Sequence, residues 1–569
     1  MIEPGELQPR RLRLARAALT VNWDPATVAR LAGGLAGRQR LHRLRRRAAG
    51  VALGAAVIAL AVGLPVRRAH LGARAGSNRA MGTIAAERAR DRRAAGDDVE
   101  LRPLSDLAAG ALAAGRWSAF LRHPHHDAVL PDVSEVGHHP YGDAPAPAVI
   151  VDVRSARFGA AGDGVTDDTA AIQRAIDSVE ESGGVVYFPD GEYRISDILR
   201  VYGSGIVLRG QHRRGARLAF QRPLDEALGP NVAGPFSRWR WSGGLVWFGP
   251  RSRPLYAPRG KPLGGTGEGW PVGAPLVSLA APAARGDRTL SLAAPAPLQP
   301  GDLIMVVLDA TEEVTAAGWR AERDGGHQGS SVPPTHSVAV RWPVEVAAVD
   351  GRTVTLAQPL RFDAPLELRP HLHGVQPDGL VRDVGIEHLG LVMRPRPIGP
   401  GQPVGWNGVF FQNAVHAFAR DLTIVDCDLA LGSVSAKNLS LTDVDVVSRS
   451  LPPDRPPFRA LALRSWSHDV LVERVQIGPP WSGLNLEGTG FVLSRVRGRF
   501  DRLAGFAIDA LLTDVLQEPV PEERPESLRG LRVVGWNLRT EGEEASALPS
   551  AVPANLYEAQ KARRQGQEP

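Results

Sequence analysis

Three charged side chains fall at the same place in a short repeated phrase. The phrase runs apolar, any, apolar, variable, small, and occurs as VFFQN (409–413), LALGS (429–433), LALRS (461–465), LNLEG (484–488) and FAIDA (506–510). Strand alternation turns its first and third positions inward and its fourth outward. The fourth positions are Gln412, Gly432, Arg464, Glu487 and Asp509. Stacked as parallel rungs about 4.8 Å apart, Arg464, Glu487 and Asp509 would form one exposed row. Two chemistries suit such a row. In an elimination, a base removes the proton α to a uronate carboxylate while a cation stabilises the enolate. Arg464 is then the cation and His468, four residues on, a candidate base. In glycoside hydrolysis, Glu487 and Asp509 act as acid and nucleophile. One rung, about 5 Å, is close to the retaining geometry, and neighbouring like charges raise one carboxyl as a general acid needs. The bland counterpart is surface stabilisation by an Arg–Glu cross-strand pair.

The row depends on stacking, and a second phrase supports it. This phrase opens on Asp, Asn or Gly and continues apolar, any, apolar, any, any, apolar. Its copies are DVGIEHL (383–389), DLTIVDC (421–427), NLSLTDV (438–444), DVLVERV (469–475) and GFVLSRV (490–496). Aligned, they give the column Ile386, Ile424, Leu441, Val472, Leu493 and the column Leu389, Cys427, Val444, Val475, Val496. Such columns stack inside a solenoid, where each repeat buries its apolar face only against its neighbours. Starts of the first phrase lie 20, 32, 23 and 22 residues apart, a coil of about 22 with one insertion at LPPDRPPFR (451–459). Cys427 reads as a small core residue. As the single cysteine it excludes an intrachain disulfide scaffold and a Cys-rich zinc site.

Residues 239–372 break the repeat. GDRTLSL, PGDLIMVV, WPVEVAAVDGRTVTL and AQPLRF alternate with turn signals there, which predicts a small antiparallel β module, open or closed as a barrel.

Residues 151–195 open the body. Val151 and Val153 predict a short strand, Gly159, Gly162 and Gly164 a turn, and Thr166, Asp167 or Asp168 an N-cap. Ile172, Ala175, Ile176 and Val179 then share one helix face, Gly183 and Gly184 stop the helix, and VVYF is a buried strand. This stretch resembles the pectate lyase superfamily domain at the head of right-handed parallel β-helix proteins. The matching residues are Phe158, Gly159 and Ala160, the run DGVTDDT (163–169), Ala171, Ile172, Ala175, Ile176 and VYFP (186–189) with Gly191 and Tyr193. The resemblance implies that the helix caps the solenoid, that Asp163, Asp167 and Asp168 are turn and cap residues, and that the inserted module walls a groove or decorates the coils. It implies lyases, hydrolases, epimerases, tailspikes and inactive relatives alike. In such proteins sugar rings stack on aromatics along an exposed sheet, so Trp406, Trp466, Trp481, Gln412 and Asn485 are the expected substrate-binding set. The paired-Asp and Gly-His-Gly motifs of polygalacturonases and the acidic calcium cluster of pectate lyases are absent from the chain, which counts against pectin.

Ahead of the body, residues 48–66 form nineteen residues without a charge, about one hydrocarbon core as a helix. Arg43, Arg45, Arg46 and Arg47 precede them, so the positive-inside rule predicts a single anchor with 1–47 cytoplasmic and the body exported. A cleaved signal peptide or a buried Ala/Val helix are the rivals. Residues 1–66 look like the N-terminal segment of FecR-type anti-sigma proteins, carried by Trp23, Asp24 and the Arg-rich helix. Eleven Arg and three acids in 1–47 give +8, so the net +6 leaves −2 for the remainder. The basic balance is local and predicts no nucleic-acid partner. Residues 67–145 read as stalk and linker, with solvated histidines in HPHHD (123–127) and GHHPYGD (137–143), and 546–569 as a frayed tail. No metal or cofactor is expected.

The resulting expectation is a mainly β chain. A right-handed parallel β-helix (146–238 and 373–545) carries an inserted β module and an N-terminal transmembrane helix, and acts on a polysaccharide by lysis or hydrolysis. The alternatives are a non-catalytic carbohydrate-binding or envelope scaffold, and envelope signalling through residues 1–47.

Overall fold

The computed structural model describes residues 133, 135–138, 149–230, 232–233, 236–237, 239, 242–254, 269–309, 338–394, 405–449, 460–478, 484–499, 503–518, 529–530 and 533–540. All lie in one compact unit, Gly115–Ala545 with Asn555–Lys561. The expected anchor (48–66), the basic lead and the tail lie outside the described residues, among which no helix is long and apolar enough to cross a membrane.

Parallel strands stack in three ladders. The first runs Val151, Val186, Leu208, Ile386, Ala419, Leu441, Val472, Leu493, Leu512, Gly535, each opposite the next. From Val186 to Leu512 every side chain in this column is at most 1% exposed. The second ladder runs Tyr193, Leu218, Leu391, Ile424, Val446, Ile477, and the third Leu199, Val246, Val409, Leu431, Leu461, Leu484, Leu503. The apolar side chains of the three ladders whose burial is described meet in one continuous core, Cys427 included. The expected β-helix is therefore present.

The chain turns between ladders at non-glycine residues with left-handed φ. One corner stacks Asp383, His416, Asn438 and Asp469 above Gly490, the next stacks His388, Asp421, Asp443, Arg474 and Arg495, and a third stacks Asn413, Ser435 and Trp466. Asn and Asp adopt this conformation at least cost among residues with a Cβ, which explains the Asp/Asn/Gly that opens the second phrase.

Three stretches of register depart from expectation. LALGS (429–433) is displaced by two residues, since Val409 faces Leu431 and Gln412 faces Val434, not Gly432. Residues 438–444 pair with HAFARDL (416–422), and DLTIVDC (421–427) lies five residues further along the coil. FAIDA is also displaced: Glu487 faces Phe506, not Asp509.

At the head, the helix Thr169–Asp177 buries Ala171, Ile172, Ala175 and Ile176. Its acidic neighbours are committed to the backbone as expected of turn and cap residues. Asp163 accepts from the Val165 and Thr166 amides, Asp167 from Thr169, and Asp168 from the Ala161 and Gly162 amides.

The inserted module is a six-stranded antiparallel sheet from Val272–Ser278 to His371–Val375. A bridge between Leu279 and Leu292 joins the two edge strands, Val272–Ser278 and Thr289–Ser291, so it closes as a small barrel around Trp342, Val344 and Leu372. It begins later than expected. Val246–Phe248 belongs to the solenoid, between Leu199–Val201 and Asn407–Gln412.

Barrel and solenoid meet over a buried ionic cluster. Asp469 accepts from Arg361 Nε at 2.9 Å and from Trp342 Nε1 at 3.1 Å, and pairs with Lys437 Nζ. Asp469 and Lys437 are fully buried and Arg361 is 2% exposed. Beside them Glu345 accepts from Arg382 at 2.8 Å and contacts His416 Nε2 at 3.0 Å. Burial alone would raise the Glu345 pKa, but the His416 hydrogen bond and the charges of His416 and Arg382 outweigh it and hold the carboxyl at about 2. A depressed folded-state pKa contributes stability above the ordinary value of 4.5 that is lost as pH falls towards 2. Acid titration of stability should show this loss in the wild-type chain. In Glu345→Gln it should be shallower by one proton over the same window; an unchanged slope would refute the assignment.

A piece of the expected linker packs against this junction. Val133, Val136 and Gly137 are buried, Gly137 N donates to Asp469 O at 2.8 Å, and His138 N donates to Ser440 Oγ at 2.7 Å. Glu135 pairs with Arg288 of the barrel. His138 is not a solvated linker histidine. Its ring lies 5.1 Å from Phe418, and burial, with the charges of His416 and Arg420, pushes its pKa down to about 3. Gly137 has φ +94°, and a Cβ there would meet Ser440 Oγ at 2.7 Å. Gly137→Val should weaken this docking by about 1–3 kcal/mol and speed exchange of the 137 and 138 amides about 5- to 150-fold. Equal exchange rates in the two chains would show that the seat does not depend on glycine.

Candidate functional site

The structure divides the expected row. Arg464 Nε donates to Glu487 Oε1 at 3.2 Å, and Asn485 Nδ2 donates to the same oxygen at 3.2 Å. Their exposures differ: the Arg464 side chain is 12% exposed, that of Glu487 30%, and Asn485 is buried. Asp509 does not join them. The flanking pairs Thr489–Ile508 and Phe491–Ala510 put it opposite Gly490, three residues beyond Glu487. The adjacent-rung carboxylate pair that hydrolysis required is therefore absent.

Of the other expected residues, His468, Trp406 and Gln412 are buried and Trp466 is half-buried. His468 is fully buried between Trp466 and Trp270, at ring distances of 6.3 and 6.1 Å. Burial, then the Lys437 charge, drives its pKa down to about 3, so it is neutral and enclosed rather than a base open to a polymer. Trp466 is tied down, its carbonyl accepting from Trp270 Nε1 at 2.9 Å. Trp406 is a core residue at 1% exposure. Gln412 is buried, accepting from Trp247 Nε1 at 3.1 Å and donating to Arg253 O. Trp481 lies outside the described residues.

A different column gathers polar chemistry at the surface. It is the second left-handed corner, where five consecutive coils present His388, Asp421, Asp443, Arg474 and Arg495. The left-handed turn aims each side chain outward, while Leu389, Leu422, Val444, Val475 and Val496, the next residues, are buried. His388 Nδ1 lies 2.6 Å from Asp421 Oδ2, and each side chain is 23% exposed. A carboxylate only accepts, so Nδ1 carries the proton, and in the neutral ring Nε2 is the basic nitrogen. Arg213 lies 3.7 Å from Asp421 and 2.6 Å from Asp445. Glu387, 1% exposed, pairs with Arg209 and Arg420. Burial would raise the Glu387 pKa, but the Arg420 and Arg209 charges hold it below the ordinary value, so it stays ionised. Further down the column, Arg474 grips Asp443 through two 2.9 Å bonds and contacts Glu473 at 2.7 Å. An oriented imidazole with guanidinium groups on the neighbouring rungs suits removal of a proton beside a carboxylate. Among the described residues no group of three or more His, Cys, Asp or Glu could hold a metal ion.

These residues had a sequence signal. They are the sixth letters of the second phrase: His388 in DVGIEHL, Asp443 in NLSLTDV, Arg474 in DVLVERV and Arg495 in GFVLSRV. With HAFARDL as the intervening copy, Asp421 completes the column.

Comparison with known proteins bears on the head of the chain. Residues 151–222 match the family model described as rhamnogalacturonase A/epimerase, pectate lyase-like. The head of this solenoid is thus similar to that family over these residues. That agrees with the resemblance seen in residues 151–195. Among curated relatives, mannuronan C5-epimerase AlgE1 of Azotobacter vinelandii is 68% identical over 40 residues, 7% of this chain and 3% of that protein. Alginate lyase 7 of the same organism is 65% identical over 40 residues, 7% of this chain and 5% of its own. The chain thus spans only a few per cent of the length of these relatives. Among solved structures, the tailspike gp49 of Pseudomonas phage LKA1 is 14% identical with a TM-score of 0.33, over 65% of this chain and 64% of that one. The A-module of mannuronan C5-epimerase AlgE4 of Azotobacter vinelandii is 11% identical with a TM-score of 0.20, over 70% of this chain and all of that one. Beyond the pectate lyase-like head, these matches leave the chemistry to the site.

Proposed function

We propose that the protein is an exported, membrane-anchored enzyme acting on an acidic polysaccharide by abstracting the proton α to a uronate carboxylate. The carrying observation is the half-buried His388–Asp421 pair at a surface corner, flanked by Arg213 and Arg420. His388 Nε2 takes the C5 proton, and the electron pair moves into the carboxylate as an enolate that Arg213 and Arg420 stabilise. Either C4–O breaks, leaving an unsaturated sugar as the departing oxygen gains a proton, or C5 regains a proton from the other face and is inverted. The epimerase and lyase names of the short curated matches accord with this chemistry, and the missing Glu487–Asp509 pair favours it over hydrolysis.

The full chain should convert a polyuronate into unsaturated or C5-inverted product and leave a neutral glucan intact. Release of reducing ends without unsaturation would support hydrolysis instead. Deletion of residues 48–66 should move the protein from the membrane to the soluble fraction; an unchanged distribution would remove the anchor from the proposal.

The non-catalytic scaffold has one observation in its favour: the carboxylates of this corner already face arginines. On that reading the polyuronate binds and comes away unchanged.

A further inference from the structure

The barrel carries two imidazoles that the proposed site does not use. His371 and His373 stand two residues apart on the strand His371–Val375, so both leave the same face of it. Leu372 between them points into the barrel core, which places the histidines on the outer wall. Their ring centroids lie 4.9 Å apart with planes at 50°. His371 Nδ1 is 2.8 Å from Arg369 O, and His373 Nδ1 is 2.8 Å from Gly273 O. A carbonyl oxygen only accepts, so each Nδ1 carries the proton and each neutral ring keeps its lone pair on Nε2. This tautomer, fixed by a backbone carbonyl, is the one in which histidine ligates metals.

The spacing fits as well. An ion about 2.0–2.1 Å from both Nε2 atoms puts the ring centroids about 4.5 Å apart at a right angle and about 5.2 Å apart at the tetrahedral angle. The observed separation falls between these. Asp309, paired with Arg369 at 3.1 Å, and Arg341 are the charged neighbours, one carboxylate against two guanidiniums. Such a site lacks the oxygen donors that Ca2+ and Mg2+ demand. We infer that His371 and His373 form a two-imidazole site for Cu2+, Ni2+ or Zn2+, open to water at the remaining positions.

Calorimetric titration of the full chain with Ni2+ tests this. The chain has 15 histidines, so the site is read as a difference between variants. His371→Gln and His373→Gln should each lose one binding equivalent or weaken it at least ten-fold, with far-ultraviolet dichroism unchanged. A second readout needs no variant: Ni2+ should protect His371 and His373 of the wild-type chain from carbethoxylation, read by peptide mass spectrometry. Unchanged stoichiometry and affinity in both variants, or equal labelling of both residues with and without Ni2+, would overturn the inference.

Discussion

Replacing Asp469 by alanine should cost about 3–5 kcal/mol at the barrel–solenoid junction, the largest stability effect expected of a single side chain here. Asp469 is fully buried and serves Arg361, Lys437 and Trp342 at once. Without it two buried cations lose the carboxylate they share. Lys437 has a partial escape, because burial already outweighs the pull of Asp469 and sets its pKa at about 8, so it can shed its proton. Arg361 cannot do so. Replacing all three with apolar residues of similar volume should recover most of the loss, as buried ion clusters contribute little net stability. A chain of this size need not unfold in two states. The measurement is therefore hydrogen exchange of amides in Lys437–Val447 and Leu461–Ile477, which reports local opening. A change below about 1 kcal/mol would mean the cluster is hydrated or rearranged.

His388→Gln should lower kcat on a polyuronate by about 10²–10⁴, the usual contribution of a positioned general base. That corresponds to about 3–5 kcal/mol of transition-state stabilisation. KM should change little, because the guanidiniums that meet the substrate carboxylate remain. Asp421→Asn removes the anion that fixes the His388 tautomer, and should also act on kcat rather than KM. Glu487→Ala and Asp509→Ala should leave kcat within about two-fold, since the register gives them no shared site. If those two changes abolish turnover and His388→Gln does not, the chemistry lies on the third ladder and not at the corner.

The solenoid could be read from the chain because its signal is cumulative. Apolar letters recur in each coil, and the left-handed corners demand Asp, Asn or Gly at a fixed offset. The position along the coil is a finer matter. Asp421 opens DLTIVDC at a left-handed residue, but at the second corner, whereas Asp383, Asn438 and Asp469 lie at the first. A pattern beginning with Asp fits both corners, and the five-residue error followed. Coil length misleads too. From Val409 the third ladder advances 22 residues to Leu431, 30 to Leu461, 23 to Leu484 and 19 to Leu503, so a constant 22 carries FAIDA three residues out of register.

Burial failed for another reason. Alternation says which side chains leave a strand outward, not what lies over them. Gln412 and His468 point out of the coil and are covered by residues distant in sequence, Trp247 and Arg253 for the first and Trp270 for the second. Trp406 has only its aromatic type to mark it in the sequence, and it packs inside. The His388 corner remains at the surface because no segment among the described residues closes over it.

Proton NMR of a polyuronate incubated with the full chain in D2O shows whether His388 removes the C5 proton. C5 protons should be lost steadily, by exchange or by unsaturation, with the wild-type chain, and not above background with His388→Gln. Fragments that keep every C5 proton, or equal loss with both proteins, would contradict that role.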